Sequence, residues 1–207
     1  MIQATANRVE KLWIILLAAG GSARLGRPKQ LLRFRGQTLF SRALQSGSRI
    51  SGRQVIVVIG ADAPRMRSHV RRHAPHARVV FNADWQSGMG TSLAAAIKEL
   101  PRTARAVMVL LSDQPRVSVR ALHRLSRRYG HGGGNVIVAS RYRGRCGVPA
   151  IFPRRAFRTL AKLDGDLGAR ALLNSRDSAF RVVPVDLPEA EYDIDTPADA
   201  AALFGGF

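Results

Sequence analysis

Seven short apolar runs recur along the chain, each rich in leucine or β-branched residues, with helix-periodic stretches between them. They predict strands over Trp13–Ala18, Gln54–Ile59, Arg78–Phe81, Ala106–Leu111, Asn135–Ala139, Val148–Phe152 and Arg181–Asp186. The intervening patterns predict helices over Thr38–Ser46, Pro64–Arg72, Thr91–Leu100, Val119–Tyr129, Arg154–Leu163, Ala169–Asn174 and Pro197–Phe204. Such alternation builds βαβ units, so the expected fold is α/β, a mostly parallel sheet with helices on both faces. Ser140–Gly147 breaks the rule, because it is too short for a crossover helix and predicts a hairpin with an antiparallel strand. The glycines from Gly130 to Gly134 read as a loop, since strand material follows at once. No internal repeat or domain boundary is visible; residues 12–207 are expected to form one domain behind an N-terminal extension, residues 1–11.

Composition narrows the class. At 207 residues with 46% hydrophobic content the chain can bury a core, and no apolar run approaches the length of a membrane span. Residues 1–11 lack the apolar segment of a secretory signal, and the lone Cys146 excludes an intramolecular disulfide, so the expected location is cytoplasmic. The formal charge of +19 comes from 29 Arg and 4 Lys spread over most segments. Only Tyr129 and Tyr142 lie near basic clusters, so aromatic interleaving is thin and nucleic acid is the disfavoured partner. An anionic small substrate fits the charge better.

Candidate chemistry concentrates just after the predicted strands, where open α/β sheets bind ligands. The first is Leu17-Ala18-Ala19-Gly20-Gly21-Ser22-Ala23-Arg24-Leu25-Gly26-Arg27-Pro28-Lys29-Gln30, a glycine-rich loop carrying two fixed cations, Arg24 and Lys29. Such a loop can aim several backbone N–H groups at one anion. It is not a phosphate loop of the GxxxxGK[ST] kind, because Arg27 and Pro28 occupy the Lys and Ser/Thr places. Nor is it a dinucleotide fingerprint: Ser22 replaces the second glycine, and no Asp or Glu occurs from Lys11 to Ala61, an interval with nine Lys or Arg. A polyphosphate is the better ligand.

Gly88 and Gly90 precede a helical pattern that Thr91 or Ser92 could cap, and a helix start lined by small residues could also receive an anion or a base edge. Asp113 ends the most apolar strand, where it could hold Mg²⁺ or merely cap the turn at Pro115. Thr196, Pro197 and Asp199 are explained as a helix start, which leaves Asp195 unexplained; it could meet Asp113 across the site as a second metal ligand. Gly165-Asp166-Leu167-Gly168-Ala169-Arg170 reads as a glycine turn into a helix, with Arg170 facing an acceptor phosphate or a surface partner. The five histidines, His69, His73, His76, His123 and His131, are read as forming no HxxxH or other metal-ligand set with Cys or Glu.

Taken together, LAAGGSARLGRPKQLL, the Trp85-to-Leu93 stretch with GMGTSL, LSDQP, GDLGAR and DIDTP resemble the MobA-like nucleotidyltransferases, in family order over about Leu12 to Phe204. The resemblance implies a three-layer α/β/α, Rossmann-like fold of the GT-A type. It implies nucleotide binding by Ala18, Ala19, Gly20, Gly21, Ser22, Arg24, Lys29, Gly88, Gly90 and Ser92, catalysis by Lys29, Arg24 and Asp113, Mg²⁺ on Asp113 and Asp195, and acceptor contacts from Thr91 and Arg170. LAAG in place of LAGG is similar to the branch that transfers CMP from CTP to a molybdopterin-type cofactor, releasing pyrophosphate and passing its product to a molybdenum hydroxylase. Two rivals share the motifs: an NAD(P)H-dependent oxidoreductase of the same family acting on a dye-like aromatic, and a non-catalytic cofactor chaperone. Retention of Lys29, Asp113 and Asp195 favours an enzyme over a chaperone.

Overall fold

The computed structural model describes residues 11–22, 25–166, 168–175 and 179–204. Seven strands form one sheet: β1 (Leu12–Ala18), β4 (Val55–Ile59), β5 (Arg78–Phe81), β6 (Ala106–Leu111), β7 (Ile137–Tyr142), β8 (Arg145–Pro153) and β9 (Val182–Asp186). Their spatial order is β5-β4-β1-β6-β8-β7-β9. Only β8 runs against the rest: it pairs antiparallel with both β6 and β7, while β1, β4, β5 and β6 pair parallel and β7 pairs parallel with β9. The expected hairpin is therefore present, but its strands extend into Ser140–Gly147, with only Arg143 and Gly144 left to turn. A second two-stranded sheet, β2 (Arg33–Phe34) and β3 (Gln37–Thr38), was not anticipated; neither strand is long enough to show a period.

The central strands are buried on both sides, which is why they read as continuous apolar runs. Alternate residues serve opposite layers. Leu12, Ile14 and Leu16 join the core beneath α1 (Leu39–Ser51), α2 (Ala63–His73) and α4 (Val119–His131). Ile15 and Leu17 join the one beneath α3 (Met89–Lys98), α5 (Phe157–Leu160) and α6 (Arg170–Asn174). Thr38 caps α1 by accepting from Ser41 N at 3.0 Å, and Ser118 caps α4 from Ala121 N at 3.2 Å. The predicted helix over Arg154–Leu163 shortens to a 3-10 turn and the four-residue α5. Among the described residues no helix is long and apolar enough to cross a membrane.

Helix α1 lies unusually near the sheet at Gly47, where a Cβ would stand 2.9 Å from Ile14 Cγ2 and 3.2 Å from Leu110 Cδ1. Gly47→Val should therefore overpack this contact and lower stability by about 1–3 kcal/mol, read as a lower denaturant midpoint at unchanged m-value.

A third, smaller core cluster positions the site. Leu25, Leu32, Phe34 and Leu39 pack with Ile194 and Ala200, so α7 (Pro197–Phe204) and the segment before it lie against the chain that follows the glycine loop. The α7 start is as expected: Asp199 Oδ2 accepts from Thr196 N at 2.8 Å, and Asp199 N donates to Thr196 Oγ1 at 3.2 Å.

Candidate active site

All strands but β8 bring their carboxyl ends to one edge of the sheet, and the site lies there. Beyond β1 the chain turns through Ala19, Gly20 and Gly21. Gln30 braces that turn from behind. Its buried amide Nε2 donates to Gly20 O at 2.7 Å and Ala18 O at 3.4 Å. The loop is closed by Lys29 N donating to Ser22 Oγ at 3.0 Å and by Leu25 N donating to Ser22 O at 3.0 Å. Arg24, expected as a phosphate ligand, lies outside the described residues, as do residues 1–10 of the expected extension and Leu167.

Trp85 explains two glycines. A Cβ on Gly21 would meet the indole ring at 2.8 Å, and one on Gly60 would meet Trp85 Cβ at 2.6 Å. Gly90 is bound to the neighbouring turn instead: its N donates to Gly165 O at 2.9 Å, and a Cβ there would approach Asp164 O to 2.6 Å. Helix α3 begins at Met89, two residues before the predicted start, because Gly88 at φ 116° makes the turn. Thr91 and Ser92 are thus not caps. The Thr91 hydroxyl donates toward Gly88 O at 2.9 Å and Asp84 O at 3.0 Å and accepts from Asn82 Nδ2, which also donates to Ser92 Oγ. That engagement takes Thr91 out of the lining, and Arg170 stands exposed on α6, also outside it.

The resulting cleft has a volume of about 300 Å³, at the small end for ligand sites. Ala18, Ala19, Gly20 and Lys29 line it together with Trp85, Gly88, Met89 and Ser92, and Asp113 and Asp166 add two carboxylates. Lys29 is the electrostatic centre: Nζ lies 2.6 Å from Asp113 Oδ2 and 2.7 Å from Asp195 Oδ1. The two carboxylates meet because Ile194 N donates to Asp113 O at 3.2 Å and Gln114 Nε2 ties Ala190 O at 2.7 Å and Val148 O at 3.1 Å. Burial alone would lower the Lys29 pKa, but Asp113 and Asp195 outweigh it and the net shift is upward. Asp193, exposed at the surface but close to the same carboxylates, has its pKa raised first by partial desolvation and then by the charges of Asp113 and Asp195.

The site fits a hard divalent cation. Asp113 Oδ1 is buried and has no hydrogen-bond partner, and the surplus of carboxylate beside it is what such an ion would offset. Among the described residues no three His, Cys, Asp or Glu converge as a complete cage, which suits an ion sharing its shell with phosphate and water. One expectation about histidine needs correcting. His69 and His73 do stand at HxxxH spacing on α2, with ring centroids 6.0 Å apart, yet among the described residues no third ligand joins them.

Sequence reasoning missed Gln30, Gln114 and Asp193. The signal for the first two was present: each is an amide set against strongly apolar residues, where an unpartnered polar group is costly. Gln30→Ala would strand two carbonyls and loosen the glycine loop. It should raise the KM for nucleotide about tenfold with a smaller change in kcat, measured beside a melting curve to confirm folding.

Comparison with known proteins places this geometry. The chain is 32% identical to nicotine blue oxidoreductase of Paenarthrobacter nicotinovorans, over 88% of this chain and 91% of that protein. The crystal structure of Rv0371c from Mycobacterium tuberculosis H37Rv superposes with a TM-score of 0.76 at 31% identity, covering 95% of this chain and 98% of that one. Its complex with manganese superposes at 0.73 and 28% identity, covering 95% and 100%. Residues 14–180 match the MobA-like NTP transferase domain. That match runs from β1 through α6 and takes in both the Lys29 loop and the Asp113 strand end, and the chain belongs to the MobA-like NTP transferase family.

Proposed function

We propose that the protein transfers CMP from CTP to a molybdopterin-type cofactor and releases pyrophosphate. The observation that carries this reading is the Lys29 ammonium held between Asp113 and Asp195, with Lys29 and Asp113 in the lining of a cleft that Gly20 and Gly88 also line. An oxygen of the acceptor's terminal phosphate attacks the α-phosphorus of CTP. A new P–O bond forms as the bond from the α-phosphorus to the α,β-bridging oxygen breaks, and pyrophosphate leaves with that electron pair. The acceptor phosphate is already ionised at neutral pH, so no side-chain base is needed. The residues work by position and charge. The turn at Ala18, Ala19 and Gly20, which lines the cleft, holds the nucleotide, and Lys29 neutralises charge on the transferring and leaving phosphates. Asp113 and Asp195 would hold Mg²⁺, which adds Lewis-acid neutralisation of phosphate oxygens. Product hand-over to a molybdenum hydroxylase and a cytoplasmic location complete the proposal.

A second reading is favoured by the relative named nicotine blue oxidoreductase: NAD(P)H-dependent reduction of a planar aromatic. Asp62 does follow β4, beside β1, where a ribose-binding acid could stand. It is exposed, 3.9 Å from Arg65, and is not part of the cleft. One panel separates the two readings. With Mg²⁺ and molybdopterin present, CTP should yield pyrophosphate while GTP yields little and NADPH is not consumed. Equal turnover of GTP would refute the choice of base, and NADPH oxidation without CTP turnover would refute nucleotidyl transfer.

A further inference from the structure

Part of the excess positive charge gathers where no carboxylate offsets it. No Asp or Glu occurs between residues 11 and 61 or between 114 and 163, and α1 and α4, one from each stretch, pack side by side on the same face of the sheet. Between them lies a cavity of about 400 Å³, separate from the cleft, lined by Arg42, Arg49 and Arg120 together with Gln37, Gln45 and Ser46. Among the described residues no carboxylate lines it. Arg49 and Arg120 are exposed and have no side-chain partner among the described residues. Arg42 is held in place: its Nε donates to Pro115 O at 2.7 Å, and its guanidinium lies 5.4 Å from the centroid of the Phe34 ring. Burial and the nearby Arg35 charge both lower the Arg42 pKa, so this cation sits in a field that an anion would relieve.

We propose that this cavity is a second anion site, distinct from the cleft, which takes a condensed phosphate: a pyrophosphate group, free or as part of a nucleoside polyphosphate. Three guanidinium groups, with the neutral polar side chains of Gln37, Gln45, Ser46 and Ser118 beside them, match the several charged oxygens of a diphosphate, and planar guanidinium forks engage phosphate in bidentate fashion. A single carboxylate would leave most of those donors unused. Because Pro115 follows Asp113 and Gln114 directly, the site is attached through Arg42 to the strand end that carries Asp113.

The test is calorimetric titration of pyrophosphate, CTP and inorganic phosphate, in EDTA and at physiological salt, into four proteins: the unmodified chain, Lys29→Ala, Arg49→Ala/Arg120→Ala, and Arg67→Ala/Arg71→Ala. The last removes equal charge from exposed positions on α2, and melting curves without ligand check that all four fold. The proposal predicts a pyrophosphate site that persists in Lys29→Ala and in the α2 variant but weakens at least tenfold in Arg49→Ala/Arg120→Ala, with inorganic phosphate binding more weakly throughout. Tighter Arg49- and Arg120-dependent binding of CTP than of pyrophosphate would identify a nucleotide as the source, and the reverse order the free anion. Unchanged pyrophosphate binding in Arg49→Ala/Arg120→Ala, or equal weakening in the α2 variant, would overturn the proposal.

Discussion

Lys29→Ala should lower pyrophosphate release from CTP by two orders of magnitude or more, the scale expected when a preorganised charge is removed from a phosphoryl-type transition state. The geometry says why the loss is large. Nζ lies within 2.7 Å of both carboxylates, so the cation is fixed before any nucleotide arrives and needs no reorganisation. Lys29→Arg should restore little activity, because a planar guanidinium cannot reproduce a point charge seated between Asp113 and Asp195. It should restore stability better than Lys29→Met, which leaves two partly buried carboxylates without their cation. The pH dependence has a definite sign. The folded-state pKa of Lys29 is raised above 10.5, so the bridge contributes its full stability below that value and loses it as pH rises through the folded pKa. Alkaline unfolding of the unmodified chain should show this loss above about pH 10.5, and Lys29→Met should lack it.

Asp113→Asn is expected to have an effect of similar size, at least a hundredfold on turnover, with a weakened response to Mg²⁺ or Mn²⁺. The substitution keeps the shape but removes the charge that Lys29 and a metal would share. Asp195→Asn should cost less, because the Asp195 side chain is 33% exposed against 13% for Asp113 and solvent already screens it. Rate titrated against metal, together with direct binding of Mn²⁺ by electron paramagnetic resonance, separates lost metal affinity from lost chemistry. Unchanged Mn²⁺ binding in Asp113→Asn would remove Asp113 from the ligand set.

The sheet and its flanking layers were legible in the sequence because each central strand is buried on both faces and so appears as an unbroken apolar run. Boundaries were less so. Helix α1 runs five residues past its predicted end, to the stop at Gly52, through Gly47, Ser48 and Ser51, residues of weak helical signal that the sheet contact holds in place. The positions of Lys29, Asp113 and Asp195 after strands or at a helix start were readable as isolated facts. A meeting of Asp113 with Asp195 was expected, but the Lys29 ammonium seated between them was not, since that depends on Ile194 packing with Leu25, Leu32 and Phe34 and on the Gln114 amide joining β8 to the chain before Asp193. Long-range packing of this kind leaves no local period to read.

The most direct test of nucleotidyl transfer follows the phosphorus itself. CTP labelled at the α-phosphate, incubated with Mg²⁺ and molybdopterin, should pass its label to the acceptor in a diphosphate linkage, with one pyrophosphate released per label transferred and almost none from Lys29→Ala. Consumption of NADPH with the label left entirely in CTP would contradict the account.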